Sequence, residues 1–160
     1  MGRLFRWFSR PLLALQDSEK AHSRSLLLLR LASSNPVFRG MLRFVFKPKS
    51  SLELQCFGMT YSHPFGLAAG MDKRAEALRG WESIGLAFSE IGGVTMLEQG
   101  GNPKPRMFRH GGDRALINRM GFNNPGSEKV VERLKRSQHR VVPVWANLGQ
   151  AKVTPLEKAQ

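Results

Sequence analysis

The stretch PFGLAAGMDKRAEALRGW, residues 64–81, changes character halfway along, and this change decides the predicted fold. It opens as a short apolar run, passes through the small residues 68–70, and reaches Asp72 and Lys73, where a helical pattern begins. Small residues at the end of a buried strand allow a flat ligand to lie against the backbone, and a lysine just beyond can bind an anionic substrate. The alternative, on these residues alone, is a tight strand-to-helix turn with a surface lysine.

The residues around this stretch alternate between short apolar runs and helical patterns. The predicted strands are residues 65–69, 86–94 and 141–146, and the predicted helices are residues 74–84 and 127–139. This order predicts parallel strands joined by right-handed crossovers. A Gly/Pro/Asn-rich stretch, residues 96–125, follows the second strand and is expected to contain short strands around 106–109 and 116–119. Ligand sites of α/β folds lie at that end of the strands, so a functional loop is expected there.

The predicted fold class is α/β, the amino-terminal portion of a (β/α)8 TIM barrel preceded by a small helical membrane-associating domain. The first domain is residues 1–46, and the second, residues 47–160, is the first part of the barrel. Three parallel strands cannot close a barrel, which needs roughly 200 residues or more. We therefore expect the barrel to be incomplete after about its third strand and the sequence to be cut at Gln160. Residues 52–55 and 59–61 are predicted as two further short strands, joined through Phe57 and Gly58.

The first 46 residues are predicted to form helices that carry apolar side chains beside arginines. One face of the first segment carries Leu4, Phe5, Phe8, Leu12 and Leu15. Pro11 is expected to break or kink this segment, and Asp17 to cap a second helix that stops near residues 33–36. Residues 37–46 form a third. Such helices suit a hairpin lying on an anionic membrane surface. A small helical subdomain packed on the rest of the chain is an equal alternative.

The composition of the chain argues against several classes of protein function. The formal net charge is +13, with ten basic and two acidic residues in 1–50, three and six in 51–100, and twelve and four in 101–160. The arginines flank apolar helices and a glycine-rich loop instead of forming a basic stripe with interleaved aromatics, so no nucleic-acid partner is expected. The single cysteine, Cys56, excludes an internal disulfide, and no metal site is expected. No apolar run approaches the roughly 18–20 residues of a membrane span.

Several motifs line the predicted carboxyl-terminal rim of the strands. They are AAGMDK at 68–73, EIGGVT at 90–95, GNPKPR at 101–106, INRMGFNN at 117–124 and NLG at 147–149. In order and spacing these motifs closely resemble the dihydroorotate dehydrogenases, and more narrowly the class 2, quinone-dependent, membrane-associated branch. The amino-terminal helices match as well, including DSEKAH at 17–22, and the other class lacks that helical extension.

The resemblance implies an enzyme that oxidises dihydroorotate to orotate in pyrimidine (UMP) biosynthesis. It implies FMN as cofactor and a membrane quinone that reoxidises the flavin through a tunnel between the amino-terminal helices. The residues implied at FMN are Ala69, Gly70, Gly93 and Asn147. Those implied at the substrate are Lys73, Asn118, Arg119, Met120, Gly121 and Phe122. The implied location is peripheral, on the anionic, cytoplasmic face of a bacterial cell membrane.

The sequence also departs from the family pattern. Gly93 stands where the family usually has Thr or Ser, which removes a side-chain hydrogen bond to the flavin, a loss of about 0.5–1.5 kcal/mol. Gln150 and Ala151 replace a basic residue and an amide of the family motif. The catalytic base, a serine in class 2, is expected beyond Gln160, so no catalytic residue is assigned here and the chain alone is expected to be inactive. A truncated, non-catalytic, membrane-binding relic of the family is the alternative function.

Overall fold

The computed structural model describes residues 3, 5–46, 48, 52–110, 112–113, 115–137, 142–155 and 157. Its helices are α1 (Arg10–Ala14), which follows a π-helical turn at Phe5–Ser9, α2 (Ser18–Ser34), α3 (Pro36–Phe46), α4 (Leu78–Ser83) and α5 (Ser127–Arg136). Its strands are β1 (Leu54–Cys56), β2 (Met59–Tyr61), β3 (Ser89–Val94), β4 (Met107–His110), β5 (Ala115–Asn118) and β6 (Val144–Leu148). Parts of three predicted elements lie outside the described residues. These are Leu4 of the first helical segment, residues 138–139 of the predicted helix 127–139 and residue 141 of the predicted strand 141–146.

The boundaries of the amino-terminal helices follow from local chemistry. The Asp17 side chain accepts a hydrogen bond of 2.9 Å from the Lys20 backbone N–H, which confirms the predicted cap of α2. Asn35 separates α2 from α3 in an extended conformation, and its Oδ1 accepts a hydrogen bond of 2.9 Å from the Val37 N–H. Pro11 lies in the first turn of α1, where its missing N–H has no helical partner to lose. The segment therefore changes from a π-helical turn to an α-helix near Pro11 and does not break there.

The amino-terminal helices pack on the rest of the chain through one side. Leu26 of α2 is buried with Ala77 and Trp81, and Arg43 of α3 forms an ion pair with Glu82 of α4. Their other sides expose large apolar side chains at Trp7, Phe8, Leu12, Leu15, Val37, Phe38, Met41 and Phe44. The helices thus pack on the rest of the chain, and their binding to a membrane surface stays a prediction. In the described residues, no helix has the length and apolar character that crossing a membrane requires.

A hairpin of β1 and β2 precedes the α/β part. The strands are antiparallel, and Phe57 and Gly58 turn between them with φ angles of 50° and 71°, as the predicted joint required. Tyr61 anchors the hairpin, because its hydroxyl accepts a 3.2 Å hydrogen bond from Trp145 Nε1 in β6. The hairpin and β6 are therefore held together by a side chain that is itself buried.

The predicted parallel pairing is confirmed for β3 and β6, which pair from Ser89 opposite Val144 to Val94 opposite Leu148, with a shift of register between Gly92 and Val94. The predicted strand at 65–69 is not a regular strand, since only Leu67 forms a parallel bridge, to Ser89. Backbone hydrogen bonds nevertheless join this segment to β3 and the residues before it, from the Ala87 N–H to the Phe65 carbonyl and from the Glu90 N–H to the Leu67 carbonyl. The Ala69 N–H instead donates to the Glu90 side chain. Each sheet in the described part has two strands, and no barrel is closed among them. The TIM-barrel prediction is therefore not confirmed.

The predicted helix at 74–84 is also too long, because α4 begins only at Leu78. Asp72, with 0% of its surface exposed, accepts hydrogen bonds from the N–H groups of Glu76 (2.8 Å) and Ala77 (2.9 Å). It also accepts one of 3.1 Å from Trp81 Nε1. This carboxylate orders residues 72–77 as a turn, in which Ala75 has a φ of 55°.

We expect Asp72→Ala to lower the free energy of unfolding by about 3 kcal/mol, because it leaves buried donors without an acceptor. Denaturant unfolding followed by tryptophan fluorescence measures the change. Asp113→Ala is the matched control, since that carboxylate is 79% exposed and pairs with the exposed His110. Its expected effect is below about 0.5 kcal/mol. Equal losses in the two variants would show that Asp72 does not hold the turn.

Two further predictions are confirmed, the short strands in the long loop and the helix that follows the loop. β4 and β5 form an antiparallel hairpin, Met107 opposite Asn118, where short strands were predicted. Helix α5 starts after Gly126 and buries Val130 against Ala75, Leu78, Ile91 and Val94. This apolar cluster fixes α4 and α5 on β3 and so places the loops that end the strands.

Candidate active site

The four residues predicted at the cofactor meet where β3 and β6 end. The Gly70 N–H donates to the Gly92 carbonyl over 3.0 Å, which joins the AAG stretch to β3. A Cβ at Gly93 would lie 3.6 Å from Asn147 Oδ1 and 3.5 Å from the Phe122 ring. The structure thus brings Ala69, Gly70, Gly93 and Asn147 into one neighbourhood.

Glu90 connects these residues and has no role in the sequence prediction. One of its carboxylate oxygens accepts a 3.2 Å hydrogen bond from the Ala69 N–H, and the other accepts one of 3.4 Å from Asn147 Nδ2. A glutamate inside an otherwise small and apolar strand, EIGGV, was the available signal. By holding both partners, Glu90 fixes the spacing between the AAG stretch and the end of β6.

Gly70 leaves space over the backbone. Its φ is 100°, a conformation that side chains rarely adopt, and a Cβ built there would meet no atom within 4 Å. Asn147 and Phe122, which lie near Gly93, are exposed. The backbone at Gly70 is therefore open to a ligand.

Lys73 lies half-buried next to the predicted substrate loop. Its Nζ donates a 2.9 Å hydrogen bond to Asn123 Oδ1. Burial lowers the pKa of Lys73, and the nearby positive charge of Arg106 lowers that pKa further. A partly desolvated ammonium group gains more from an anionic partner than a solvated one, so Lys73 is placed to bind an anion.

The loop at 118–122 is only partly gathered around Lys73. Asn118 and Met120 line the same cavity as Lys73. Arg119 turns away, donating to the Pro105 carbonyl over 3.2 Å and lying 5.6 Å from the centre of the Phe108 ring.

The other two residues of this loop, Gly121 and Phe122, do not line that cavity either. Gly121 has a φ of 69° and packs against Asn102, where a Cβ would lie 2.7 Å from the Asn102 backbone nitrogen. Phe122 faces Gly93, on the side predicted for the cofactor.

The cavity at Lys73 has a volume of about 710 Å3 and extends to the amino-terminal helices. On the α2 side it is lined by Ser18, Glu19, Ala21, His22, Ser23, Ser25 and Leu26, and on the loop side by Met107, Arg109, Leu116, Asn118, Met120 and Asn123. Burial lowers the pKa of His22, which favours its neutral form. Arg109 Nη1 donates to the Gln16 carbonyl over 2.6 Å, which ties β4 to the turn before α2.

A buried ion pair fixes α2 against the loop. Arg106, with 7% of its side chain exposed, donates to both carboxylate oxygens of Glu19 over 2.6 and 3.1 Å. The same guanidinium donates to the carbonyls of Gly100 and Asn102. The hydrogen bonds from Arg106 lower the pKa of Glu19, so the pair is charged at neutral pH. The sequence prediction assigned no role to Glu19 or His22, although both belong to the quoted DSEKAH motif.

The family model described as dihydroorotate dehydrogenase matches residues 51–158. The chain belongs to the dihydroorotate dehydrogenase family. Relatives named dihydroorotate dehydrogenase (quinone) include one from Gloeobacter violaceus, 47% identical over 94% of this chain and 42% of the relative. One from Thermus thermophilus is 48% identical over 89% of this chain and 42% of the relative. The chain thus spans about two fifths of the length of these relatives.

Solved structures of dihydroorotate dehydrogenase from Eimeria tenella have a similar fold. The complex with ferulenol superposes with a TM-score of 0.74 at 33% identity, covering 91% of this chain and 40% of that one. The ligand-free form gives a TM-score of 0.70 at 34% identity, covering 87% and 39%. The similarity to dihydroorotate dehydrogenase therefore includes the amino-terminal helices as well as the residues matched by the family model.

Proposed function

We propose that this chain supplies the quinone side, the substrate lysine and part of the flavin pocket of a quinone-dependent dihydroorotate dehydrogenase of class 2. The reaction is the oxidation of dihydroorotate to orotate in pyrimidine synthesis, with FMN as cofactor and a membrane quinone as electron acceptor. Residues 1–46 act as the membrane and quinone domain, and residues 47–160 as the first part of the barrel.

One observation carries this proposal. A single cavity is lined both by Lys73, which can bind an anionic substrate, and by residues of α2. Helix α2 belongs to the amino-terminal extension that the quinone-dependent branch has and the other class lacks. An enzyme that passes electrons from dihydroorotate to a quinone needs access for both reactants near one cofactor. The cavity brings the predicted substrate loop and the predicted quinone helices together over the AAG stretch.

The residues at the ends of β3 and β6 fit FMN. The open space over Gly70 admits a flat ring, while the backbone of Ala69 and Gly93 and the Asn147 amide offer polar contacts beside it. When bound, FMN supplies the hydride acceptor for the substrate. Glu90 holds Ala69 and Asn147 at fixed spacing, and the Phe122 ring closes one side.

The remaining chemistry of the chain concerns binding and orientation. The ammonium group of Lys73 binds the substrate carboxylate, and the Asn118 amide offers both a donor and an acceptor to the pyrimidine ring. Met120 contributes apolar contact on the same cavity wall. The serine that takes the C5 proton is expected beyond Gln160.

The direct test is a chimera that joins residues 1–160 to the part of the Thermus thermophilus relative outside its 42% matched region. We expect the chimera to bind flavin and to reduce quinone with dihydroorotate as the electron donor. A folded chimera with flavin but without turnover would contradict the proposed function, and the unmodified Thermus enzyme is the positive control.

Gly93→Ser tests the cofactor neighbourhood in this chimera. The new Cβ would make ordinary contacts of 3.5 and 3.6 Å, so the hydroxyl can be added without a clash. We expect flavin dissociation to slow by about 2- to 10-fold, the value of one hydrogen bond. Gly92→Ser is the matched control and should lose flavin, because its Cβ would lie 2.4 Å from the Asn147 carbonyl oxygen. A faster flavin loss from Gly93→Ser would remove Gly93 from the pocket.

We further propose that residues 1–46 bind peripherally to anionic bilayers, on the cytoplasmic face of a bacterial membrane. The exposed apolar side chains of α1 and α3 belong to residues 1–46, and this segment carries eight basic and two acidic residues. This combination is typical of helices that lie in a membrane interface.

Co-sedimentation of the 160-residue chain with vesicles tests the membrane proposal. We expect recovery with anionic vesicles to exceed recovery with neutral vesicles, and Phe44→Asp to reduce it severalfold, since Phe44 is 90% exposed. Val131→Asp on α5 is the control and should leave recovery unchanged. Equal recovery with both lipids, or equal loss in both variants, would count against this surface.

A further inference from the structure

A second cavity, of about 290 Å3, lies between the end of α2, the start of α4 and the end of α5. It shares only Glu76 with the lining of the cavity at Lys73. Four arginines line it, Arg30 from α2, Arg79 from α4, and Arg133 and Arg136 from α5. Four arginines from three helices around one small concave space make the local electrostatic potential positive, which favours an anion there.

The carboxylates of the described chain offset this charge only in part. Glu76 is the one acidic residue in the lining, and it lies 3.8 Å from Arg133 and 3.9 Å from Arg74. Arg136 lies 3.7 Å from Glu132 of its own helix. Among the residues that the structure describes, no carboxylate pairs with Arg30 or Arg79.

The rest of the lining suits an anion that carries an organic group. Ala75, Ala77 and Leu78 form an apolar wall beside the arginines. The hydroxyls of Ser33 and Ser34 donate to carbonyls of α2, at Arg30 over 3.1 Å and at Leu31 over 2.7 Å. Ser137, the third hydroxyl of the lining, also has a partner, and Arg133 Nη1 donates to the Arg74 carbonyl over 2.9 Å. The guanidinium groups of Arg30, Arg79 and Arg136 are therefore the main side-chain donors for a ligand.

We propose that this arginine cavity binds the phosphate group of a phosphate ester. Guanidinium groups match phosphate oxygens with paired hydrogen bonds, and a tetrahedral phosphate can accept from several helices at once, unlike a planar carboxylate. The volume admits a small headgroup or a free phosphate ester, and these two sources share the same chemistry. The site is separate from the proposed oxidation and does not depend on it.

Inorganic phosphate is the first probe, titrated into the 160-residue chain and followed by 31P line broadening, with acetate at equal ionic strength as the comparison anion. We expect Arg30→Gln and Arg79→Gln each to weaken phosphate binding by about tenfold, the effect of a lost charge-assisted hydrogen bond. Arg24→Gln is the matched control, because Arg24 is exposed on the same helix and donates to Gln16. Far-UV circular dichroism confirms that each variant keeps its helices.

Vesicles of phosphatidylcholine with and without phosphatidylglycerol separate the two sources. A loss of vesicle binding in Arg79→Gln but not in Lys129→Gln, which changes an exposed side chain of α5 outside the proposed membrane segment, assigns a lipid headgroup. Weaker phosphate binding in Arg79→Gln with equal vesicle binding in both variants assigns a free phosphate ester. The proposal is overturned if the arginine variants and their controls have equal phosphate affinity and equal vesicle binding. It is also overturned if acetate binds as tightly as phosphate.

Discussion

Lys73→Ala is expected to lower dihydroorotate turnover of the chimera by about 100-fold or more, the usual cost of removing one preorganised group that meets charge in an active site. The flavin content should stay unchanged. Lys73 donates to Asn123 and lines the same cavity as Asn118, whereas Glu90 holds Ala69 and Asn147. We therefore expect the ammonium group to bind the anionic substrate and not the flavin.

The measurement is steady-state turnover at saturating quinone, beside the flavin absorbance per protein. Lys129→Ala is the matched control, since its side chain is 56% exposed and pairs with Glu98 on the surface. Turnover of the control should equal that of the parent chimera. Normal turnover in Lys73→Ala with normal flavin loading would remove Lys73 from the substrate site.

The second large effect concerns the 160-residue chain produced by itself, which we expect neither to retain flavin nor to oxidise dihydroorotate. Apolar side chains around the predicted pocket face solvent, with Phe122 67%, Leu148 77% and Val153 86% exposed. At about 25 cal/mol per Å2, a few hundred Å2 of exposed apolar surface forgoes several kcal/mol, while domains have roughly 5–15 kcal/mol in all. Ala69, Gly70, Gly93 and Asn147 then offer too few contacts for tight flavin binding.

A flavin absorbance spectrum after desalting, with a dihydroorotate–quinone assay beside it, tests this expectation. The chimera is the control, because it contains the same 160 residues. A yellow chain with one flavin per protein and with turnover would overturn the expectation and would imply that copies of the chain complete one another's sites.

The sequence predicted those features of the fold that depend on local chemistry. The Asp17 cap, the Phe57–Gly58 turn and the two loop strands follow from neighbouring residues, and the structure confirms them. The parallel pairing of β3 with β6 followed from the order of apolar runs. Helix α4 was predicted too long because a buried Asp72 competes for the backbone N–H groups of 76 and 77, and the helical period of the sequence does not show this contact.

In the candidate site, too, the sequence indicated individual residues but not the long-range contacts that hold them. The family resemblance implied Gly93 and Asn147, and Lys73 was noticed as well because it comes shortly after a predicted strand. The contacts that hold them come from residues distant in sequence, such as Glu90 with Asn147 and Asn123 with Lys73, 50 positions away. Arg119 belongs to the substrate motif but turns toward Phe108, and only the conformation of the loop determines that direction.

If this chain places substrate, cofactor and quinone sites together, an anaerobic experiment on the purified chimera will show it most directly. Dihydroorotate is added first, then a short-chain quinone, while flavin absorbance is followed. We expect dihydroorotate to abolish the absorbance and quinone to restore it, each at a rate sufficient for turnover. A folded, flavin-loaded chimera whose absorbance does not respond to dihydroorotate, or does not recover with quinone, would contradict this expectation.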